Sequence, residues 1–188
     1  MEKKNAIRKK ALANRKKKYF EISSHFFNPL IQLLKKQKKN SIKTLSLYYP
    51  SCYEVNVLSL TQLIKKIKIK FLLPVTKPDN QMNFVEWKYL EPLKVNEFGM
   101  LEPSLISKPL VPDLMLIPLL AFDNGNNRLG YGKGFYDKFL NKFLKKNKIT
   151  TIGVAFSFQK YNKLPTSSLD VKLDYILTEK GLQKKWTF

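Results

Sequence analysis

The order of apolar segments between residues 41 and 75 constrains the fold of this chain most strongly. Residues 41–49 are predicted as a buried strand that stops at Pro50, residues 56–66 as a helix, and residues 68–75 as a second strand. Two parallel neighbouring strands need a crossover of this kind, which is usually a helix. The sequence therefore predicts an α/β fold with a mostly parallel central sheet flanked by helices.

The remaining segments continue this alternation of strands and helices. Helices are predicted over 2–18, 20–37 (disturbed by Pro29) and 134–146, and strands over 82–89, 113–120, 149–156 and 173–178. The 113–120 run is almost continuously apolar, as in strands that are covered on both faces. We find no internal repeat and no linker, so we interpret residues 1–188 as a single domain.

Composition favours an ordinary globular protein. The chain has 188 residues, of which 44% are hydrophobic, and this is enough for a core without disulfides or metals. The single cysteine, Cys52, excludes an intrachain disulfide and a cysteine-based zinc cluster. The apolar run 114–122 contains Pro118 and is too short to cross a bilayer, and no signal-peptide pattern follows the charged N-terminus. We expect a cytoplasmic protein with no membrane partner.

The net charge of +21 first suggests a nucleic-acid binder. However, only three of the 35 cationic side chains are arginines, Arg8, Arg15 and Arg128. Specific nucleic-acid recognition relies on arginine for bidentate contacts, whereas lysines dominate here throughout the chain. We interpret the lysines as drift in nucleotide composition and expect no specific nucleic-acid partner. A basic protein that binds RNA or another polyanion remains the alternative function.

The predicted N-terminal helix carries cations on its semi-apolar face. Lys4, Arg8 and Arg15 fall within an arc of roughly 40°, and Ala11 lies directly beside that arc. Charges on a face that packs against the protein either have an anionic partner or extend towards solvent. The pattern alone leaves both possibilities open.

Glycines concentrate at the end of the most apolar predicted strand, before a helix. Four of the seven lie within ten residues, at Gly125, Gly130, Gly132 and Gly134. Backbone N–H groups and the helix dipole bind anions in such a loop, and Arg128 and Lys133 add two cations. The segment is neither a Walker A motif, because Gly134 follows Lys133, nor a dinucleotide-binding fingerprint, because the glycine spacing is wrong. It predicts a phosphate site of another type.

The glycine-rich run resembles the signature of the 5-formyltetrahydrofolate cyclo-ligase, or methenyltetrahydrofolate synthetase, family. The matching residues are Arg128, Leu129, Gly130, Tyr131, Gly132, Lys133, Gly134, Phe135, Tyr136 and Asp137. Supporting similarity extends over nearly the whole chain, including the segments 48–55, 98–103 and 151–156. The resemblance implies an ATP- and Mg²⁺-dependent ligase of folate one-carbon metabolism. It would convert 5-formyltetrahydrofolate to 5,10-methenyltetrahydrofolate with release of ADP and phosphate.

The resemblance also implies roles for individual residues. Contacts with ATP are expected from Lys4, Arg8, Arg128, Leu129, Gly130, Tyr131, Gly132, Lys133, Gly134, Phe135 and Tyr136. Among them, Lys133 and Arg128 are the expected catalytic residues. The N-terminal helix that carries Lys4 and Arg8 would dock near this nucleotide site. The folate would contact Tyr49, Glu54, Phe98 and Tyr136, with Glu54 near the formyl group, and Asp137 and Asp170 would hold Mg²⁺ directly or through water. We expect a monomer whose partners are ATP and the folate.

Considered alone, some of these residues have simpler explanations. Asp137 could be a first-turn carboxylate that stabilises the helix dipole, Asp170 a turn residue, Glu54 a helix N-terminal acid and Phe135 a core residue. The sequence offers no histidine suited to general-base catalysis, since His25 is the only one. Phosphoryl transfer does not require one, because it depends mainly on positioning and charge neutralisation.

Overall fold

The computed structural model describes residues 2–36, 42–104 and 107–184. The helices are α1 Glu2–Lys18, α2 Asn28–Lys36, α3 Leu60–Leu63 and α4 Phe135–Phe143. The strands are β1 Thr44–Ser46, β2 Lys70–Lys77, β3 Gln81–Glu86, β4 Leu93–Val95, β5 Leu101–Pro103, β6 Leu114–Pro118, β7 Ala121–Phe122, β8 Arg128–Leu129, β9 Thr150–Val154, β10 Tyr175–Thr178 and β11 Gly181–Lys184.

The main sheet has seven strands in the order β11-β10-β9-β6-β1-β2-β3. The five inner strands, β10, β9, β6, β1 and β2, are all parallel to one another. The edge strands β11 and β3 pair antiparallel with β10 and β2. The strands β4 and β5 form one separate antiparallel pair, and β7 and β8 form another. The predicted α/β fold with a mostly parallel sheet is confirmed, including the parallel pairing of β1 with β2.

The central strand β6 contributes side chains to a buried cluster on each face of the sheet. Leu114 and Leu116 belong to one buried cluster, together with residues of α2, whereas Met115 and Ile117 belong to a second cluster with residues of α4. Successive side chains of a strand point to opposite faces, so an uninterrupted apolar run supplies both cores. The continuous apolarity of this segment is thus a consequence of its central position.

Two of the predicted helices were wrong in extent. In the segment 20–37, α2 begins only at Asn28 after a short 3₁₀ turn, and Pro29 lies in the first turn, where its missing N–H breaks no helical hydrogen bond. Residue 37 lies outside the described residues. In the segment 56–66, only the single turn α3 is α-helical, and the hydroxyl of Thr61 donates to the Leu58 carbonyl oxygen at 2.7 Å. Such side-chain hydrogen bonds compete with a regular helix.

The predicted bounds of other elements differ from the observed ones by a few residues. Helix 2–18 is observed with the predicted bounds as α1, whereas α4 begins after Gly134 because that residue has a left-handed φ of +75°. The strand predicted over 41–49 is shorter, as β1, and residue 41 lies outside the described residues. The sequence analysis did not predict β4, β5, β7, β8 or β11. Among the described residues, none of the helices is both long and apolar enough to cross a membrane. The interpretation of residues 1–188 as one domain stays a prediction.

Candidate active site

The glycine-rich segment divides into a hairpin and a loop. The strands β7 and β8 pair through Phe122 and Arg128, and Asp123 organises the turn between them. Its carboxylate accepts hydrogen bonds from the backbone N–H groups of Gly125 at 2.9 Å and Asn127 at 3.0 Å. Gly125 therefore belongs to the hairpin turn. The candidate anion-binding loop is the shorter stretch from Gly130 to Gly134, directly before α4.

Glycine is required in this loop at two positions. Gly132 and Gly134 have φ values of +106° and +75°, a left-handed region that residues with a Cβ rarely adopt. At Gly132 a Cβ would also lie 3.1 Å from the Cζ atom of Arg8. The Nε atom of Arg8 donates to the Gly130 carbonyl oxygen at 2.9 Å. The absence of a side chain at Gly132 therefore lets α1 approach the loop closely.

The three cations on one face of α1 contact different partners. Lys4 forms an ion pair with Asp170, with 2.5 Å between Nζ and Oδ2. Arg8 contacts the Gly130 carbonyl, and Arg15 donates to the Leu119 carbonyl oxygen at 3.1 Å and to the Tyr131 hydroxyl. Only 1% of Arg15 is exposed. The sequence left open whether these cations have an anionic partner or extend towards solvent. Lys4 has an anionic partner, and Arg15 does not extend towards solvent.

Arg128 and Asp137 form a second ion pair, with 3.0 Å between Nη2 and Oδ1. Arg128 also donates to the Val171 carbonyl oxygen at 2.9 Å, and Asp137 accepts from the Val171 N–H at 3.0 Å. The side chain of Arg128 is only 5% exposed. The pair therefore binds both backbone groups of Val171 to the start of α4. Asp137 also lies in the first turn of α4, as its simpler explanation required.

Each predicted metal-binding carboxylate thus contacts a predicted phosphate-binding cation. Burial alone would raise the pKa of Asp170, but the hydrogen bonds from Lys4 and from the Ser167 N–H lower that pKa below its usual value. Asp137 contacts the residue that follows Asp170, so both carboxylates lie along one segment of the chain. Both stay candidates for metal binding.

These carboxylates fit Mg²⁺ better than a metal held by protein alone. In the part of the chain that the structure describes, no three His, Cys, Asp or Glu residues are grouped to hold a metal ion. Mg²⁺ in nucleotide sites typically uses one or two carboxylates, with phosphate oxygens and waters completing its coordination. Asp137 and Asp170 provide hard oxygen donors of the right number for that arrangement.

Glu54 is buried and contacts the glycine-rich loop, with 7% of the residue exposed. Its Oε1 atom accepts from the Tyr131 hydroxyl at 2.9 Å, and its Oε2 atom accepts from the Ser51 N–H at 2.9 Å. Burial raises the pKa of Glu54, although the Ser51 N–H, the charge of Arg15 and the Tyr131 hydroxyl act against this rise. Since α3 begins at Leu60, the explanation of Glu54 as a helix N-terminal acid is wrong.

Aromatic side chains also lie beside the loop. The rings of Phe98 and Phe135 are 5.6 Å apart, and the Nζ atom of Lys133 lies 5.4 Å from the centre of the Phe98 ring. Lys133 is exposed, and within the described ranges it forms no ion pair. Burial and the nearby charge of Glu54 raise the pKa of Tyr136. The structure therefore places the Phe98 ring beside both Phe135 and Lys133.

Most of the predicted site residues are joined through direct contacts. Two ion pairs, the Arg8 contact and the Tyr131–Glu54 hydrogen bond connect α1, the loop and the segment around Asp170. Tyr49 is exposed, and among the described residues no hydrogen bond, ion pair or aromatic pair connects it to the other candidates. Sequence reasoning assigned no role to Arg15, although it is one of only three arginines and shares the helix face of Lys4 and Arg8.

Two surface cavities lie apart from this group. They measure about 360 and 320 Å³, and none of the predicted site residues lines either of them. The larger lies between the 78–82 turn and α4, and the smaller beside β10 and β11. The candidate site is therefore recognised by its converging charged groups and its left-handed glycines.

Comparison with known proteins adds an independent result. The family model described as the 5-formyltetrahydrofolate cyclo-ligase family matches residues 1–179. The chain is 34% identical over 146 residues to the 5-formyltetrahydrofolate cyclo-ligase of Haemophilus influenzae, covering 74% of this chain and 78% of that protein. It is 32% identical over 179 residues to the enzyme of the same name from Mycoplasma pneumoniae, covering 94% and 98%.

Solved structures agree with this match. The 5,10-methenyltetrahydrofolate synthetase of Aquifex aeolicus superposes with a TM-score of 0.74 at 29% identity, covering 98% of this chain and 94% of that one. The synthetase of Mycoplasma pneumoniae superposes with a TM-score of 0.68 at 30% identity, covering 94% and 98%. The fold and the sequence are those of a ligase that uses ATP. This chain belongs to the 5-formyltetrahydrofolate cyclo-ligase family.

Membership confirms the predicted family, the predicted enzyme class and the predicted ATP-dependent cyclisation. The alternative of a basic protein that binds RNA or another polyanion is not supported. The roles of individual residues, the use of Mg²⁺, the oligomeric state and the cellular compartment stay predictions.

Proposed function

We propose that the conversion of 5-formyltetrahydrofolate and ATP to 5,10-methenyltetrahydrofolate, ADP and phosphate takes place where α1 meets the loop from Gly130 to Gly134. The observation that carries this proposal is the contact of Arg8 with the Gly130 carbonyl, over a glycine at position 132. This contact brings the cations of α1 close to an exposed loop that directly precedes the N-terminus of α4. Loops of this kind bind phosphates through their N–H groups.

The phosphates of ATP would lie among the cations of this region. Lys4 and Arg8 come from α1, whereas Lys133 comes from the loop and has no carboxylate partner within the described ranges. Lys133 is therefore the candidate for direct contact with the transferred phosphoryl group. Arg128 would act through its charge and through the order it imposes on the loop, since it is buried against Asp137. The flanking residues Leu129, Tyr131, Phe135 and Tyr136 would complete the nucleotide site.

The reaction needs groups that stabilise charge in two steps. In the first step, the formyl oxygen of the folate attacks the γ-phosphorus of ATP and ADP leaves. In the second step, the N10 lone pair attacks the activated formyl carbon, phosphate departs with the former formyl oxygen, and N10 loses its proton. Cations around the phosphates stabilise the first step. An ionised Glu54 near the formyl group would stabilise the positive charge that develops on the N5–C–N10 unit.

Aromatic residues would hold the pterin. Phe98 and Tyr49 are partly exposed and offer ring surface, and the charge of Glu54 contributes to the raised pKa of Tyr136. Mg²⁺, when bound, would neutralise phosphate charge, and Asp137 and Asp170 would hold it together with ATP. We also propose that the chain works as a monomer in the cytoplasm, without a specific nucleic-acid or membrane partner. Its mass in solution tests the first point.

The decisive experiment measures the absorbance of the methenyl product with the purified chain. We expect product to form from 5-formyltetrahydrofolate only when ATP is present, with one ADP released for each product. Omission of ATP and substitution of a non-hydrolysable analogue are the controls. Absence of product under all conditions, together with tight salt-sensitive binding of RNA, would instead support the polyanion-binding alternative.

A further inference from the structure

Arg15 is a buried cation that the proposed reaction does not yet use. The residue is 1% exposed, and its guanidinium donates to the Leu119 carbonyl and to the Tyr131 hydroxyl. Its Nε atom has no hydrogen-bond partner, and among the described residues no carboxylate forms an ion pair with it. Burying a guanidinium without a counter-charge is unfavourable. The position of this arginine therefore needs an explanation beyond packing.

The Tyr131 hydroxyl connects Arg15 to Glu54. It accepts from the guanidinium and donates to Oε1 of Glu54 at 2.9 Å. The other oxygen of Glu54 accepts from the Ser51 N–H. A cation on α1, a hydroxyl on the glycine-rich loop and a carboxylate after β1 thus form one chain of hydrogen bonds. The charge of Glu54 is the counter-charge that Arg15 otherwise lacks.

We propose that Arg15 is a positioning residue for the cyclisation: through the Tyr131 hydroxyl it orients the Glu54 carboxylate and keeps it ionised for the substrate. This inference rests on the proposed role of Glu54 at the formyl group. It separates Arg15 from Lys4 and Arg8, which share its helix face and are assigned to the phosphates. The same helix would then serve both substrates with different residues.

Among the ionisable groups around Glu54, Glu54 itself is the one whose protonation would change in the pH–rate profile. Arg15 faces it from α1, Tyr131 from the loop, Tyr48 from the segment after β1 and Tyr136 from α4. Burial raises the pKa of all three tyrosines, so they stay neutral near neutral pH. The Tyr48 hydroxyl donates to the Val55 carbonyl and not to Glu54. Loss of the Arg15 charge would therefore raise the pKa of Glu54.

The test compares Arg15→Met, Arg15→Lys and Tyr131→Phe with wild type, using Lys16→Met as a matched control on the exposed side of α1. For Arg15→Met, we expect kcat/KM for the folate to fall about tenfold or more. The acid limb of its pH–rate profile should move up by about one pH unit, since an opposite charge nearby lowers a carboxylate pKa by that order. KM for ATP should stay within about twofold of wild type. Arg15→Lys keeps the charge and should restore the acid limb.

Several results would overturn the inference. One is a folded Arg15→Met protein with an unshifted acid limb, and another is a rise in KM that falls on ATP rather than on the folate. If Arg15→Met does not fold, Tyr131→Phe decides, because it removes only the connecting hydroxyl and should impair kcat/KM for the folate. An unaltered Tyr131→Phe enzyme would then refute the relay. The proposed role of Glu54 is tested separately by Glu54→Gln. If wild type is active and this variant is fully active, the role of Glu54 is wrong.

Discussion

Replacement of Asp137 by asparagine tests two roles of this residue at once. The variant keeps the shape of the side chain and an oxygen that can accept from the Val171 N–H. It removes the negative charge that faces Arg128 at 3.0 Å. Because the Arg128 side chain is only 5% exposed, its charge would remain nearly buried without an anionic partner. The fold and the proposed metal site should therefore both respond.

The size of the effect on stability follows from burial. Removing one partner of a fully buried ion pair costs about 3–5 kcal/mol, whereas an exposed pair contributes about 0.2–1 kcal/mol. The side chain of Asp137 is 25% exposed, so an intermediate loss of about 2 kcal/mol is expected. For a domain of this size, that loss lowers Tm by about 4–8 °C. Asp170→Asn should cost less, since its partner Lys4 is 22% exposed and lies in the first turn of α1.

A Mg²⁺ titration of activity separates the metal role from the structural one. We expect Asp137→Asn and Asp170→Asn each to raise the Mg²⁺ concentration for half-maximal activity. The double variant should lose less activity than the two single losses combined, because residues that act on one ion are not independent. Asp79→Asn, an exposed substitution on the 78–80 turn, is the matched control and should change neither quantity.

The outcomes for the two roles are distinct. If the titration midpoints of wild type, both single variants and the double variant coincide, the assignment of the metal to these carboxylates is refuted. An unchanged Tm for Asp137→Asn would refute the reasoning from the buried ion pair. A lower Tm with an unchanged midpoint would leave Asp137 with a structural role only.

Three further predictions concern the charges around the loop. Lys133→Ala should lower kcat about 100-fold or more with little change in Tm. Lys145→Ala, at another exposed lysine, is the control and should leave kcat unchanged. Near-normal turnover of Lys133→Ala would contradict the phosphate role. Deletion of residues 1–9 should weaken ATP binding, measured by calorimetry, far more than it lowers Tm, and unchanged affinity would show that these cations do not contact the nucleotide. The lowered pKa of Asp170 predicts that its ion pair with Lys4 stabilises the fold fully above about pH 5 and progressively less as pH falls towards 3. Urea unfolding of wild type and Lys4→Met across this range should show the difference shrinking on acidification, and a constant difference would argue against the pair.

Much of this protein is determined by local sequence. The bounds of α1 follow from a run without glycine or proline, and the burial of β6 on both faces follows from its nearly continuous apolar run. The run 128–137 is sufficient to predict the family and a phosphate site. These features depend on neighbouring residues and on the intrinsic preferences of the backbone. For that reason the amino-acid sequence alone predicts them.

Tertiary structure alone decided how the charged groups pair. Lys4 meets Asp170 across 166 residues of sequence, and Tyr131 meets Glu54 across 77. No periodicity encodes such contacts, because they depend on which strand ends the parallel sheet brings to one edge. The same holds for Arg15: its helix face was visible in the sequence, but the hydroxyl and carboxylate that give its charge a use came from two other parts of the chain.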